Sequence, residues 1–455
     1  MISTIDCSLD PSARLFLALR SDDAPAAKQA MADGANVEAT ERVEASKNAP
    51  RGLGRWSTLG EDAGTRKLAA RMAPLAAAAA WGARDCLQLL LKELPENILE
   101  QQAPEALYFA AAVGCADAVN ALLTSRGPQL ANHESQPLED LPIFAAAESG
   151  HDSCVEILAP LSELAERNSR GRSALHVALG RGHASTAMML ARDMERLKLS
   201  ASEIEGVGNL VEAAAEGGNI ACLEAALEWA PEGVHPQGAD RSALMWAASA
   251  NSLECVQRLL PLSDPRYEDE DYNTALHVAA QWGPDCVKAL IPASDIEATE
   301  SEDRKTALLL AIRWGHAHAV ADLLAAGASI TAKDKDGRQA MHIAASASVK
   351  MISAMAAAGL DGKVVDKEGR TPLMILADLP HWLVGTDAEA RIEALLPISD
   401  VHAIDKHGET ATQIARSRGN SKIADAIEAR SALEEARELS EALPQRPPSR
   451  KSLGL

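Results

Sequence analysis

Aromatic residues are scarce in this sequence. Phe, Trp and Tyr make up only 3% of the 455 residues, with three Phe, three Tyr and seven Trp. The core of a large globular enzyme normally draws on more Phe and Tyr, because each of these side chains buries a large area. Hydrophobic residues nevertheless account for 47% of the chain. Alanine and leucine must therefore carry the burial, which indicates thin layers of short helices packed closely together.

Catalytic and metal-binding motifs are also missing. The seven cysteines are scattered and include no C-x-x-C pair, so the spacing typical of a zinc site is absent. The sequence has no phosphate-binding G-x-x-x-x-G-K-[ST] loop, no G-x-S-x-G nucleophile turn and no H-E-x-x-H zinc helix. We therefore expect no catalytic residue, no metal site, no cofactor and no enzymatic activity.

The charge balance is strongly acidic. The chain has 44 Lys and Arg against 65 Asp and Glu, a formal net charge of -21. Such a charge disfavours non-specific binding to nucleic acid or to an anionic membrane, so we expect no nucleic-acid partner. No apolar run approaches the length of a membrane span, and the N-terminal residues lack the basic-then-apolar layout of a secretory signal. We expect a cytoplasmic protein, with export from the cell as the alternative.

The stretch Thr274–Ile291, TALHVAAQWGPDCVKALI, contains a pattern that recurs along the chain. A hydroxyl residue suited to a helix N-cap opens it, and a glycine separates two apolar runs. Such a helix–turn–helix unit is too short to bury its own apolar face, so it needs copies on either side. With Leu276 as the anchor of this copy, the other copies have their anchors at Leu75, Leu107, Ile143, Leu175, Val211, Leu244, Leu308, Met341, Leu373 and Thr412.

A period of about 33 residues with a TPLH-like opening resembles the ankyrin repeat. The resemblance is carried by SALHVALGRGH (Ser173–His183), TALHVAAQWG (Thr274–Gly283), TALLLAIRWGH (Thr306–His316) and TPLMILA (Thr371–Ala377). It implies an all-α fold, namely an ankyrin-repeat solenoid of about twelve helix–turn–helix repeats with short β-hairpin fingers. It also implies that the histidine of the TPLH-like motif, represented by His277 and its equivalents, bonds the backbone of a neighbouring repeat.

Departures from the period predict the domain organisation. Residues 10–39 form a degenerate copy that suits an N-terminal capping repeat, because a solenoid needs its open ends covered. Residues 40–71 contain several glycines and basic residues and indicate an inserted flexible loop. The repeat array is expected over residues 72–429, followed by an amphipathic C-terminal capping helix at 431–443. The basic, proline-containing tail at 444–455 is expected to be disordered.

The placement of tryptophan indicates where a partner would bind. Trp81, Trp282 and Trp314 each lie six residues after an anchor, directly before the glycine between the two helices. In ankyrin repeats this place faces the concave groove and varies, and Trp and Arg often dominate the binding energy of interfaces. A competing interpretation is that Trp282 and Trp314 pack on each other for stability alone. The expected partner-binding residues are Trp81, Arg181, Glu270, Asp271, Gln281, Trp282, Arg313 and Trp314.

These features predict a non-catalytic scaffold that binds another protein through the concave face of an ankyrin solenoid. The acidic run Glu268–Asp271 would favour a partner with a basic and partly apolar segment, and we expect the protein itself to be a monomer. The alternative hypothesis is a secreted microbial effector that targets a host protein through its repeats. The resemblance indicates how the chain binds and not which partner it binds.

Overall fold

The computed structural model describes residues 10–44, 57–58, 68–135, 140–197, 209–234, 241–379 and 388–442. Within these ranges α-helices dominate, and they occur as consecutive pairs that we number 1 to 12 in chain order. The chain divides into two compact units. The first comprises residues 1–236 and 242–250, and the second comprises residues 237–241 and 251–455.

The first unit contains pairs 1 to 6 and the first helix of pair 7. Its helices are Pro11–Arg20 and Ala24–Ala32, Pro74–Trp81 and Arg84–Glu93, Glu96–Val113 and Ala116–Arg126, Pro142–Ser149 and Asp152–Leu158, Ala174–Gly180 and Ala184–Arg196, Leu210–Gly217 and Ile220–Trp229, and Ala243–Ser249. Short 3-10 helices at Pro128–Asn132 and Pro231–Val234 follow pairs 3 and 6. First helices of successive pairs pack side by side, and so do second helices.

The second unit continues with the second helix of pair 7 and with pairs 8 to 12. Its helices are Leu253–Leu259, Ala275–Trp282 and Val287–Leu290, Ala307–Trp314 and Ala317–Ala325, Ala340–Ala347 and Val349–Ala357, Pro372–Asp378 and Ala388–Leu395, and Ala411–Ser417 and Ser421–Ala442. Further 3-10 helices lie at Pro284–Cys286, Ile291–Ala293 and Leu396–Ile398. The same side-by-side packing of first helices and of second helices holds in this unit.

The first helices form the buried layer of each unit. In pair 2, Leu75 and the four alanines 76–79 are completely buried, and in pair 8 Leu276 is 1% exposed. Small alanine side chains let neighbouring helices approach closely, while the anchor leucines fill the remaining volume. The fold-class prediction of stacked helix–turn–helix units is therefore confirmed.

In pairs 8 and 10 the motif histidine joins consecutive pairs as expected. His277 Nδ1 accepts the N–H of Thr274 at 3.1 Å, so Nε2 carries the proton and donates to the carbonyl of Ala298 at 2.8 Å. His342 Nε2 likewise donates to the carbonyl of Arg370 at 3.0 Å. Each acceptor lies between the helices of the histidine's own pair and those of the next pair.

The loop that precedes each first helix is called its finger. Fingers are mainly turns, with isolated antiparallel bridges at Ser135–Asp140, Thr299–Thr306 and Ile404–Thr410. In the second unit, backbone hydrogen bonds of 2.7 to 2.9 Å join consecutive fingers. The N–H of Ser301 donates to the carbonyl of Asp271, that of Lys335 to Asp303, that of Lys367 to Asp336 and that of Lys406 to Glu368. The fingers of pairs 8 to 12 therefore form one bonded row.

The insertion between pairs 1 and 2 differs in part from the expected loop. Strands Glu41–Glu44, Ser57–Thr58 and Leu68–Met72 form an antiparallel sheet with Leu68–Met72 in the centre. The loop expectation is corrected for these three strands, and residues 45–56 and 59–67 lie outside the described residues.

The C-terminal helix also differs from its predicted bounds. A single helix, Ser421–Ala442, contains both the second helix of pair 12 and the predicted capping helix. Neither glycine nor proline occurs between Ala429 and Ser431, so nothing in the sequence terminates the helix there. The predicted disordered tail, residues 444–455, lies outside the described residues. In the part of the chain that is described, no helix combines the length and apolar character needed to cross a membrane.

Candidate functional site

The first helices of pairs 8 and 9 end at Trp282 and Trp314, which we call the tryptophan pair. Their ring centroids are 4.7 Å apart and their planes are inclined at 45°. Trp282 is 49% exposed and Trp314 is 44% exposed. The two rings pack on each other, as one sequence-based interpretation predicted, and they still leave an exposed aromatic surface.

The turns after these helices hold the tryptophan pair in place. Gly315 ends the first helix of pair 9 with a φ of 77°, a left-handed conformation that favours glycine. The next residue, His316, places Nε2 3.1 Å from the carbonyl oxygen of Gln281, and Nε2 donates because a carbonyl only accepts. This bond connects the end of one tryptophan-bearing helix to the turn that follows the other.

Gln281 and Arg313 precede the two tryptophans along the chain. The Gln281 side chain is half-buried, whereas Arg313 is exposed. Within the described ranges, the guanidinium of Arg313 takes part in no ion pair and no side-chain hydrogen bond. The surface beside the tryptophan pair therefore offers a cation that the fold itself does not neutralise.

Glu270 and Asp271 lie on the finger of pair 8, and both are exposed. Asp269 Oδ1 shapes this finger by accepting the N–H groups of Asp271 at 3.0 Å and Asn273 at 2.8 Å. The helix that follows has 8 residues, a length of about 12 Å at about 1.5 Å per residue. The structure thus places the acidic finger and the tryptophan pair at opposite ends of one helix.

Trp81 and Arg181 belong to the first unit. Trp81 is half-buried at the end of the first helix of pair 2. Arg181 is exposed after the first helix of pair 5, and its guanidinium forms an ion pair with Glu148 of pair 4. Six of the eight predicted residues lie in the second unit, which contains the tryptophan pair, and Trp81 and Arg181 lie in the first.

Three exposed apolar side chains on fingers of the second unit were missed by sequence reasoning. Tyr272 is 57% exposed, Val365 is 50% exposed and Ile404 is 62% exposed. A signal was available for two of them. The residue directly before the finger aspartate is the polar Lys333 in pair 10, but it is the apolar Val365 in pair 11 and Ile404 in pair 12.

The titratable groups serve packing. Burial raises the pKa of the Cys86, Cys154 and Cys286 thiols to about 12, so these cysteines hold their protons at neutral pH. Burial also lowers the pKa of His277 and His342. Among the described residues, no group of three or more His, Cys, Asp or Glu side chains could hold a metal ion. The surface offers aromatic area, a cation and carboxylates, which is the chemistry of non-covalent recognition.

Comparisons with known proteins agree with this architecture. The family model for ankyrin repeats (three copies) matches residues 107–199, 210–301, 244–334, 284–366 and 308–384. These segments together span more than half of the chain. No curated protein matches the sequence.

Two solved structures illustrate the similarity, and both are ankyrin repeat domains. The crystal structure of the ankyrin repeat domain of Bcl-3, described as a unique member of the IkappaB protein family, is 22% identical with a TM-score of 0.40. That alignment covers 49% of this chain and 100% of the Bcl-3 chain. An ankyrin repeat domain from Acinetobacter baumannii AYE is 24% identical with a TM-score of 0.37, covering 41% of this chain and 97% of its own. Because the family model matches more than half of its residues, the chain belongs to the ankyrin repeat family.

Proposed function

We propose that this protein is a non-catalytic scaffold that binds another protein through the second unit. The binding surface would comprise the first-helix ends and fingers of pairs 8 and 9, the concave face expected of an ankyrin solenoid. Ankyrin repeats are generally protein–protein interaction modules. The observation that carries the proposal is the tryptophan pair, two adjacent large aromatic side chains that remain nearly half exposed.

The tryptophan pair could contribute much of the affinity. A Trp side chain offers up to about 250 Å² of surface, so the two half-exposed rings leave about 200 Å² to be covered by a partner. At about 25 cal/mol per Å², covering that area stabilises a complex by about 5 kcal/mol before the costs of association. Interfaces concentrate their energy in such central aromatic residues.

The acidic finger suggests the charge of part of the partner. Glu270 and Asp271 are exposed, and Glu302 on the next finger is exposed as well. A partner segment with basic residues near the fingers and an apolar residue near the tryptophan pair would complement this surface. The charge contribution would weaken with added salt, because exposed charges are screened over about 8 Å at physiological ionic strength.

Affinity capture with matched variants tests the proposal. The double variant Trp282→Ala/Trp314→Ala removes the exposed rings, and Leu17→Ala/Met188→Ala is the control. Leu17 is 43% exposed and Met188 is 53% exposed, so the control removes apolar groups of similar exposure from the first unit. We expect the control to retain partners that the tryptophan variant loses. A tryptophan variant with unchanged circular dichroism that retains every partner would show the proposal to be wrong.

A further inference from the structure

A cross-repeat contact recurs at the ends of the first helices. The residue five places after one anchor meets the residue six places after the next anchor. In pairs 4 and 5 these residues are Glu148 and Arg181, which form an ion pair. In pairs 11 and 12 they are Asp378 and Arg418, with Arg418 Nε 2.7 Å from Asp378 Oδ1. We call this place the end slot between two pairs.

The end slot between pairs 9 and 10 is occupied differently. Arg313 stands five places after Leu308, and Ala347 stands six places after Met341. The small side chain of Ala347 brings no charge to this slot, unlike the residues of the slots between pairs 4 and 5 and between pairs 11 and 12. Arg313 is exposed and, among the residues that the structure describes, its guanidinium has no ionic partner. The fold therefore provides the cationic half of an ion pair whose acidic half is missing.

The same slot adjoins the aromatic surface. Arg313 directly precedes Trp314, whose ring packs on Trp282. The end slot between pairs 8 and 9 holds Gln281 and Trp314, so it supplies no carboxylate to Arg313. A ligand group lying over Ala347 would consequently meet a free guanidinium on one side and the edge of the tryptophan pair on the other.

We propose that Arg313 receives a carboxylate of the bound protein in the end slot over Ala347, next to an apolar side chain that packs on the tryptophan pair. This inference rests on the proposed function and adds the chemical identity of the group recognised. Guanidinium and carboxylate form charge-assisted hydrogen bonds with matched planar geometry. The two native ion pairs have the acid at the fifth place and the arginine at the sixth, the reverse of the order proposed here, and they show that an end slot brings a guanidinium and a carboxylate into contact.

The inference gives the partner segment a direction. Its acidic group lies at the Arg313 end of the first helices, and its basic group lies at the end that carries the fingers, near Glu270 and Asp271, about 12 Å away in the direction of the helix axes. In an extended segment that distance corresponds to about four residues, at about 3.3 Å per residue. In a helical segment it corresponds to about two turns. A partner of this kind is bipolar rather than uniformly basic.

A random-peptide phage display library, selected on the full-length protein, provides the probe. We expect the selected peptides to carry Asp or Glu beside an aromatic or large apolar residue. Their affinity is then measured on three variants. Ala347→Glu places an acid in the slot, at the sixth place where the two native ion pairs have arginine, and should weaken binding about tenfold by competing for Arg313. Ala347→Gln has the same length without the charge and should retain binding. Arg313→Gln should weaken binding to a similar extent as Ala347→Glu.

The outcomes separate this inference from the proposed function. Two results would contradict the carboxylate contact and leave the proposed function in place. In the first, the selected peptides require the tryptophan pair but show no enrichment of Asp or Glu. In the second, they bind Ala347→Glu and Ala347→Gln equally. A selection that yields no binder, or only binders that Trp282→Ala/Trp314→Ala retains, contradicts the proposed function itself. Thermal unfolding identifies a variant that fails to fold, and Arg313→Gln then decides between these results.

Discussion

Glu105 provides a direct test of how the first helices are buried. It lies in Glu96–Val113, the longest helix of the first unit, two places before the anchor Leu107. Equivalent copies place a capping threonine there, as at Thr274. Because the helix of pair 3 continues through this place, the side chain is not a cap. It is half-buried, and burial raises the pKa of its carboxyl group from 4.5 to about 7.

The pKa shift predicts a pH-dependent stability with a defined sign. The folded chain binds the Glu105 proton more tightly than the unfolded chain does. The stability gained from this tighter proton binding is therefore fully present below about pH 4.5 and is lost as the pH rises through about 7. The rise of this pKa from 4.5 to about 7, at about 1.4 kcal/mol per pKa unit, corresponds to at most about 3.5 kcal/mol. That is a substantial fraction of the stability of a typical domain.

Urea unfolding followed by circular dichroism between about pH 5 and about pH 8 measures this effect. We expect Glu105→Gln to match the wild type near pH 5 and to exceed its stability by up to about 3 kcal/mol near pH 8. The control is Glu100→Gln, since Glu100 is an exposed carboxylate on the same helix. A difference between wild type and Glu105→Gln that stays constant across this pH range would refute the assigned burial.

Three further predictions concern the repeat scaffold. Burial lowers the pKa of His277 in the folded chain. The contribution of the neutral imidazole to stability is therefore present above about pH 6.5 and is lost as the pH falls. The unfolding midpoint of His277→Gln should consequently drop less on acidification than that of the wild type. Gly150→Ala should lower the thermal unfolding midpoint more than Gly315→Ala. Both glycines have a positive φ, so both variants are strained, but only at Gly150 would the new Cβ also clash, 2.5 Å from His183 Nδ1. Asp366→Ala should lower the free energy of unfolding, measured in urea, by about 3 kcal/mol. The Asp366 carboxylate is fully buried, accepts the N–H of Arg370 and pairs with the Arg370 guanidinium.

Much of the fold follows from local sequence. The anchors Leu75, Leu276 and Leu308 are all buried, because a period of about 33 residues returns each anchor to the same place in a stacked unit. The bonds of His277 and His342 to the following finger were likewise expected from the motif. Two expectations differ from the structure. Residues 40–71 contain strands, whose pairing depends on residues distant in the chain. The helix Ser421–Ala442 continues through the expected start of the capping helix because no local signal ends it.

The candidate site was only partly accessible to sequence reasoning. Position six after the anchor correctly indicated that Trp282 and Trp314 are surface residues, but their exposure and their contact depend on the packing of two helices. The placement of the acidic finger and Trp282 at opposite ends of the helix follows from their order along the chain, because the finger precedes the helix and Trp282 ends it.

By itself, the sequence determined the repeating unit, the buried anchors and the identity of the residues at each variable place. These follow from periodicity, helix capping and side-chain size, which act over a few residues. Only the tertiary structure decided which variable residues meet. It pairs Arg181 with Glu148 and leaves Arg313 without an ion pair among the described residues. The physical reason is that neighbours across a slot are about 33 residues apart in sequence, so the stacking of helices, not local sequence, brings charges together or keeps one unpaired.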